Sequence, residues 1–124
     1  VNGNGGAIQV GDSIRLLVKN STLINNSATA EGGGIYAAAG SFLAIVRSTL
    51  MKNNANRGGA VAVNSFRFNI LDSTISANTA TSQGGGFYFA TTALSNVSIY
   101  IRDSTLSGNA ANTGGGVYSR SRIT

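Results

Sequence analysis

The sequence predicts an all-β fold: a right-handed parallel β-helix, a solenoid of about 26–30 residues per coil and four to five coils. Three observations predict it. The first is a small-residue triplet followed by a large apolar residue. It occurs five times, as Gly5-Gly6-Ala7-Ile8, Gly32-Gly33-Gly34-Ile35, Gly58-Gly59-Ala60-Val61, Gly84-Gly85-Gly86-Phe87 and Gly114-Gly115-Gly116-Val117. The starts at 5, 32, 58, 84 and 114 are spaced by 27, 26, 26 and 30 residues, the mark of a repeat architecture. The second is an anchor that keeps step with the triplet: Ser21-Thr22-Leu23, Ser48-Thr49-Leu50, Ser73-Thr74-Ile75 and Ser104-Thr105-Leu106. The third is an apolar alternation ahead of each serine, in the pairs Leu16 and Val18, Leu43 and Ile45, Phe68 and Ile70, Ile99 and Ile101. Period-2 alternation is that of a half-buried strand.

Each element of the unit has a physical reason. The short runs Ile35-Tyr36-Ala37 and Phe87-Tyr88-Phe89 are β-rich and follow glycines, so strands are expected there. Three residues after each anchor Leu or Ile stands an asparagine: Asn26, Asn53, Asn78 and Asn109. Stacked on one another, their amides can hydrogen-bond along the solenoid axis and lock the register. Two residues further stands an alanine, Ala28, Ala55, Ala80 or Ala111, which fits a crowded position. The stretch Asn53 to Gly59 reads as a turn by composition. The glycine pairs Gly5 and Gly6, Gly32 and Gly33, Gly58 and Gly59, Gly84 and Gly85, Gly114 and Gly115 fit tight corners, where φ is positive or backbone approaches backbone. No sustained apolar stripe of helical period appears, so essentially no helix is expected. A unit of this size cannot bury its own apolar face, and stacked copies can. The longest coil carries roughly four extra residues around Thr91, Thr92, Ser95 and Asn96; such insertions protrude as loops on one face of a solenoid, often the binding face, so this is a candidate ligand-contact loop as well as a plain tolerated one.

Composition supports this reading and limits function. Charged residues are 10% of the 124, against roughly 25% in ordinary globular proteins, while apolar residues reach 42%, enough for a core. Proline is absent, as suits backbone committed to hydrogen-bonded ladders. Residues 1–124 read as a single β-helix domain. Val1 is an unusual natural start and neither end carries a cap, so a fragment or repeat segment of a longer protein or fibre is expected. No run of about 18 apolar residues provides a membrane-spanning helix. The net charge of +5 comes from cations spread along the chain, read as solubilising ahead of a nucleic-acid or acidic-glycan surface, and no nucleic-acid partner is expected.

The glycine motif paired with a second, asparagine-ended motif resembles the polymorphic outer membrane protein repeats of chlamydiae. The first motif stands as Gly5-Gly6-Ala7-Ile8 and Gly58-Gly59-Ala60-Val61. The second, as in Leu50-Met51-Lys52-Asn53, has Leu or Ile where the family has Phe. The resemblance implies a right-handed β-helix in a secreted, extracellular, cell-surface passenger with an adhesive role; the residues themselves lead to the expectation that it is not an enzyme.

The chain has no His and no Cys, and its only carboxylates are Asp12, Glu31, Asp72 and Asp103. No catalytic, cofactor or metal site is assigned. Asp72 and Asp103 hold one repeat position in adjacent coils, about 5 Å apart if stacked, the separation of a retaining glycosidase pair. A polysaccharide-binding or polysaccharide-degrading β-helix is therefore the alternative reading. The same column holds Arg47, with which Asp72 is expected to pair. The column Thr22, Thr49, Thr74 and Thr105 raises ice binding, and Tyr36, Tyr88 and Tyr118 could line a glycan strip outside the core. The expected partners are further copies of the chain, stacked head to tail, or glycans and proteins of a cell surface.

Overall fold

A computed structural model describes residues 2–65, 67–90 and 98–120. The described residues form strands joined by tight corners, with no helix. The first coil holds β1 (Ile8–Val10), β2 (Arg15–Lys19) and β3 (Thr22–Ile24). The second holds β4 (Ile35–Ala37), β5 (Phe42–Val46), β6 (Thr49–Met51) and β7 (Asn54–Arg57). The third holds β8 (Val61–Val63), β9 (Arg67–Leu71), β10 (Thr74–Ser76) and β11 (Thr79–Gln83). The fourth holds β12 (Phe87–Phe89), β13 (Ser98–Arg102) and β14 (Thr105–Ser107), and β15 (Val117–Ser119) follows.

Every strand pairs with its counterpart one coil away, in parallel. The sheets run β1-β4-β8-β12-β15, β2-β5-β9-β13, β3-β6-β10-β14 and β7-β11. The chain is a parallel β-solenoid of about four coils, as the spacing predicts. Registers follow the repeat residue by residue: Leu23 opposes Leu50, Leu50 opposes Ile75, and Ile75 opposes Leu106. The insertion at Thr91, Thr92, Ser95 and Asn96 lies outside the described residues.

The core is the interior of the coil stack. Leu43, Ile45, Leu50, Ile70 and Ile75 are fully buried, with Ile35, Val61 and Phe87 from the neighbouring sheet. Phe68 fills the third coil against Phe87 and Phe89, with ring centroids at 5.4 and 5.5 Å. Edge-to-face and tilted contacts of this kind add to the burial of the rings themselves. One expected core position differs: Ile101 keeps 39% of its surface exposed, although Ile45 and Ile70 in the same column keep none. The column is right, but no described coil covers the far side of Ile101.

The stretch Asn53 to Gly59, expected as a turn, contains strand β7. Composition misleads there because stacking supplies the pairing: Ala55 opposes Ala80, and Ser27 and Ala110 extend the ladder as single bridges. The true corners are narrower, each a single residue in the left-handed region. Asn20, Arg47, Asp72 and Asp103 form one such column, with φ between 46° and 50°. Asn25, Lys52, Ala77 and Gly108 form another, with φ from 53° to 60°.

The glycine pairs divide two tasks. Gly58 takes φ 65°, a left-handed value that costs an L-residue roughly 1–2 kcal/mol. Gly59 has no such φ, but a Cβ there would overlap the carbonyl oxygens of Gly85 and Thr79 in the next coil. Gly59→Ala is accordingly expected to cost about 3 kcal/mol through forced separation of the coils. Ala77→Gly is expected to raise stability by about 0.5 kcal/mol, relief of left-handed strain exceeding the entropy cost of glycine. Urea midpoints of the two variants check both signs, and a Gly59→Ala midpoint equal to the parent's would overturn the close-approach account.

Candidate functional site

The asparagine column is the best-organised polar feature of the molecule. Each asparagine directly follows the left-handed corner after β3, β6, β10 or β14. That corner turns its side chain inward, and Asn53 and Asn78 are fully buried. The Asn53 Nδ2 donates to the Leu23 carbonyl of the coil before at 3.0 Å and to Asn78 Oδ1 of the coil after at 3.0 Å. Its Oδ1 accepts from both the backbone N–H and the Nδ2 of Asn26, each at 3.0 Å. Asn78 repeats the pattern with Leu50, Asn53 and Asn109. Both side-chain donors and both acceptor sites of the amide are thus used inside the protein. A serine ladder runs beside it, in which the backbone N–H groups of Ser21, Ser48 and Ser73 each donate to the hydroxyl one coil on, at 3.1 Å.

The carboxylates make no comparable site. Asp72 and Asp103 do stand in one corner column, in adjacent coils, beside the paired residues Leu71 and Arg102. Both are exposed, and Asp103 pairs with its own neighbour Arg102 at 3.1 Å. The expected Asp72 to Arg47 pair is not formed. Arg47 Nε turns the other way and donates to Asn20 Oδ1 at 2.9 Å. Among the described residues no group of three or more acidic, His or Cys side chains could hold a metal ion. The threonines Thr22, Thr49, Thr74 and Thr105 are aligned in register, but Ile24 and Met51 interrupt the rank two positions on.

The tyrosine strip needs correction. Gln9, Tyr36, Ala62, Tyr88 and Tyr118 do form one column on the outer face of the first sheet. Tyr88, however, is only 2% exposed. Tyr118 stacks on it with centroids 5.7 Å apart, and the Arg57 guanidinium lies 5.7 Å from its ring centroid. Arg57 also reaches Glu31 at 3.4 Å, so this cation is shared between a carboxylate and a ring face. Burial pushes the Tyr36 phenol above its ordinary 10.0, and the charges of Glu31 and Asp12 act in the same direction. This is a packed corner, with no open aromatic shelf at Tyr88.

Sequence reasoning missed the outer face of the β2-β5-β9-β13 sheet. Cations that are scattered along the chain come together there: Arg15 and Lys19 on β2, Arg67 on β9, Arg102 on β13. The signal was available as the column six residues before each anchor serine, Arg15, Phe42, Arg67 and Ser98. The four residues are chemically unlike, so recurrence does not mark them as a column.

The ladder makes a contrast that can be measured. Asn53→Ala removes the acceptor of two Asn26 donors and the donor to Leu23, and is expected to cost about 3 kcal/mol. Asn26→Ala removes one side-chain bond at the first coil and is expected to cost about 1 kcal/mol. Equal losses for the two variants in thermal or urea unfolding would overturn the ladder's role.

Residues 20–38 match the family model of the Chlamydia polymorphic membrane protein (Chlamydia_PMP) repeat. No curated protein and no solved structure matches the chain. The matched stretch runs from the Asn20 corner through β3, the first ladder asparagine and the Gly32 corner to β4. What matches is therefore part of one turn of the solenoid's own framework, without the strand of the β2-β5-β9-β13 sheet, and this stretch of the chain is similar to that repeat.

Proposed function

We propose that this chain is a non-enzymatic, extracellular β-helix module displayed at a cell surface, where it adheres to other surfaces and stacks end to end on coils of its own kind. The repeat match supports the surface setting, since that repeat is named for a membrane protein. The carrying observation is the direction of the asparagine ladder. At the first coil, Asn26 Oδ1 accepts from no described group, whereas Asn53 and Asn78 each accept twice. At the fourth coil, the Asn109 backbone N–H and one Nδ2 hydrogen donate to no described group. The donors left at the fourth coil are the groups that the acceptor at the first coil lacks, and Ile101 of the fourth coil leaves apolar surface uncovered at the same end. The serine ladder points the same way. Exposed Asp72 and the solvated Asp103 to Arg102 pair fit surface charge better than a catalytic dyad.

Stacking predicts axial rods in negative-stain electron microscopy and a sedimentation coefficient that rises with concentration. Ile101→Glu, which places a charge at the uncovered end of the core column, is expected to return the protein to monomers, with some fall in melting temperature because most of the side chain is covered. Strictly monomeric parent protein at the highest soluble concentration would overturn the stacking. For adhesion, beads coated with the chain are expected to be retained on cultured cells above albumin-coated beads. Equal retention would overturn that part.

A further inference from the structure

The outer face of the β2-β5-β9-β13 sheet has a charge pattern that the framework does not need. Strand alternation turns three residues of each strand outward, in three ranks. The first rank is Arg15, Phe42, Arg67 and Ser98; the second is Leu17, Ala44, Asn69 and Tyr100; the third is Lys19, Val46, Leu71 and Arg102. None of these twelve positions is a carboxylate, and four are cations. Arg102 is compensated by Asp103 at the rim. Arg15, Lys19 and Arg67 have no ion-pair partner among the described residues. Leu17 and Tyr100 stand between the charged ranks, 59% and 50% exposed.

At the first rank the face deepens into a cleft of about 250 Å³, lined by Ser13, Arg15, Gly40, Phe42, Ser65 and Arg67. The Arg15 guanidinium lies 5.7 Å from the Phe42 ring centroid, and Arg67 flanks Phe42 from the next strand. The floor is held by hydroxyls: Ser65 Oγ donates to the Ser41 carbonyl, and Ser41 Oγ donates to the Ala38 carbonyl at 2.6 Å. The Ser13 hydroxyl borders the same space over Gly40 and bonds to no described group. Two guanidiniums, a free hydroxyl and a ring edge thus converge on a space the size of a single sugar ring.

We infer that this cleft and the face around it bind an acidic polysaccharide, a chain of pyranose rings bearing carboxylate or sulfate groups. Guanidinium forks match carboxylate and sulfate oxygens in pairs of hydrogen bonds. Phe42, Leu17 and Tyr100 offer apolar surface to the C–H faces of the rings. A nucleic acid fits less well, because its phosphates are tracked by a continuous cationic groove with successive base-stacking rings. Here Arg15 and Arg67 meet at the first rank, Lys19 and Arg102 lie in the third, and the uncharged second rank of Leu17, Ala44, Asn69 and Tyr100 interrupts any continuous cationic track. The inference rests on the adhesive reading above and names its ligand class.

Affinity electrophoresis tests it, with sodium alginate as the carboxylate polymer, dextran sulfate as the sulfate polymer, neutral dextran as control and a thymidine oligonucleotide as the competing class. Retardation by alginate, by dextran sulfate or by both is expected, weakening as salt screens the exposed cations, with none by dextran. Which polymer acts tells carboxylate from sulfate. The Arg15→Ala/Arg67→Ala double variant is expected to bind at least about tenfold more weakly, since hydrogen bonds to charged groups are lost at both residues. Both side chains are exposed, so an unchanged melting temperature is expected to accompany the loss. Lys52→Asn, which lies off this face and takes the residue Asn25 has in the same corner column, is expected to leave binding unchanged. Retardation of the double variant equal to the parent's would overturn the assignment, as would tighter binding of the oligonucleotide than of either acidic polymer. Absence of glycan binding while coated beads still adhere to cells would overturn this inference and leave the adhesive reading standing.

Discussion

The buried amides of Asn53 and Asn78 set the terms for the rest of the molecule. A primary amide sealed from water carries two donors and an acceptor oxygen that must all be met, and leaving them unmet costs more than meeting them gains. Among the described residues, the groups that meet them lie one coil away on either side. Each coil must therefore bring its asparagine back to the same point, one strand spacing along. The sequence separations between ladder partners are 27, 25 and 31 residues, so coil length itself is free to vary. Variation is absorbed away from the ladder, mainly between β12 and β13, where the longest coil takes its additional residues.

That constraint explains what was legible in the sequence. Columns that stack like on like, such as Leu23, Leu50, Ile75 and Leu106, announce themselves through recurrence, and their registers are as read. The asparagines and glycine pairs were legible for the same reason, since each performs one task at one place in every coil. Strand β7 was not legible. Asn54, Asn56 and Arg57 have turn-like chemistry, and only their pairing with β11 and the Ser27 and Glu31 bridges makes them a strand. The burial of Tyr88 was equally hidden, because it depends on Arg57 one coil earlier and Tyr118 one coil later. Positions of that kind take their environment from residues about 30 places away in the chain, and no local pattern marks them.

The inward and outward halves of each strand obey different rules. Inward residues answer to a neighbour above and below, so exchange among Leu, Ile, Val and Phe is nearly all the variety they show. Outward residues answer only to solvent and to whatever docks. On the β2-β5-β9-β13 face, arginine, phenylalanine and serine succeed one another in a single column, and the framework is indifferent to the change. The solenoid thereby separates the part that folds it from the part that distinguishes one coil from another. The same separation explains why the repeat match falls on framework residues and carries no information about ligands.

The direction of the ladder has a consequence for symmetry. Most soluble assemblies close through a two-fold axis that sets identical patches face to face. Two first-coil ends brought together that way would each present Asn26 Oδ1 and one Nδ2 hydrogen, but no ladder backbone N–H, because that of Asn26 is already given to Asn53 Oδ1. Two fourth-coil ends would each present the Asn109 backbone N–H, while both Asn109 Oδ1 sites are already taken by Asn78. Neither arrangement continues the backbone-to-amide bond of the ladder, so a contact that continues it is head to tail and heterologous. A rod assembled in this way has unlike tips from its first subunit onward, and a single capping group would have to be specific to one tip and useless at the other.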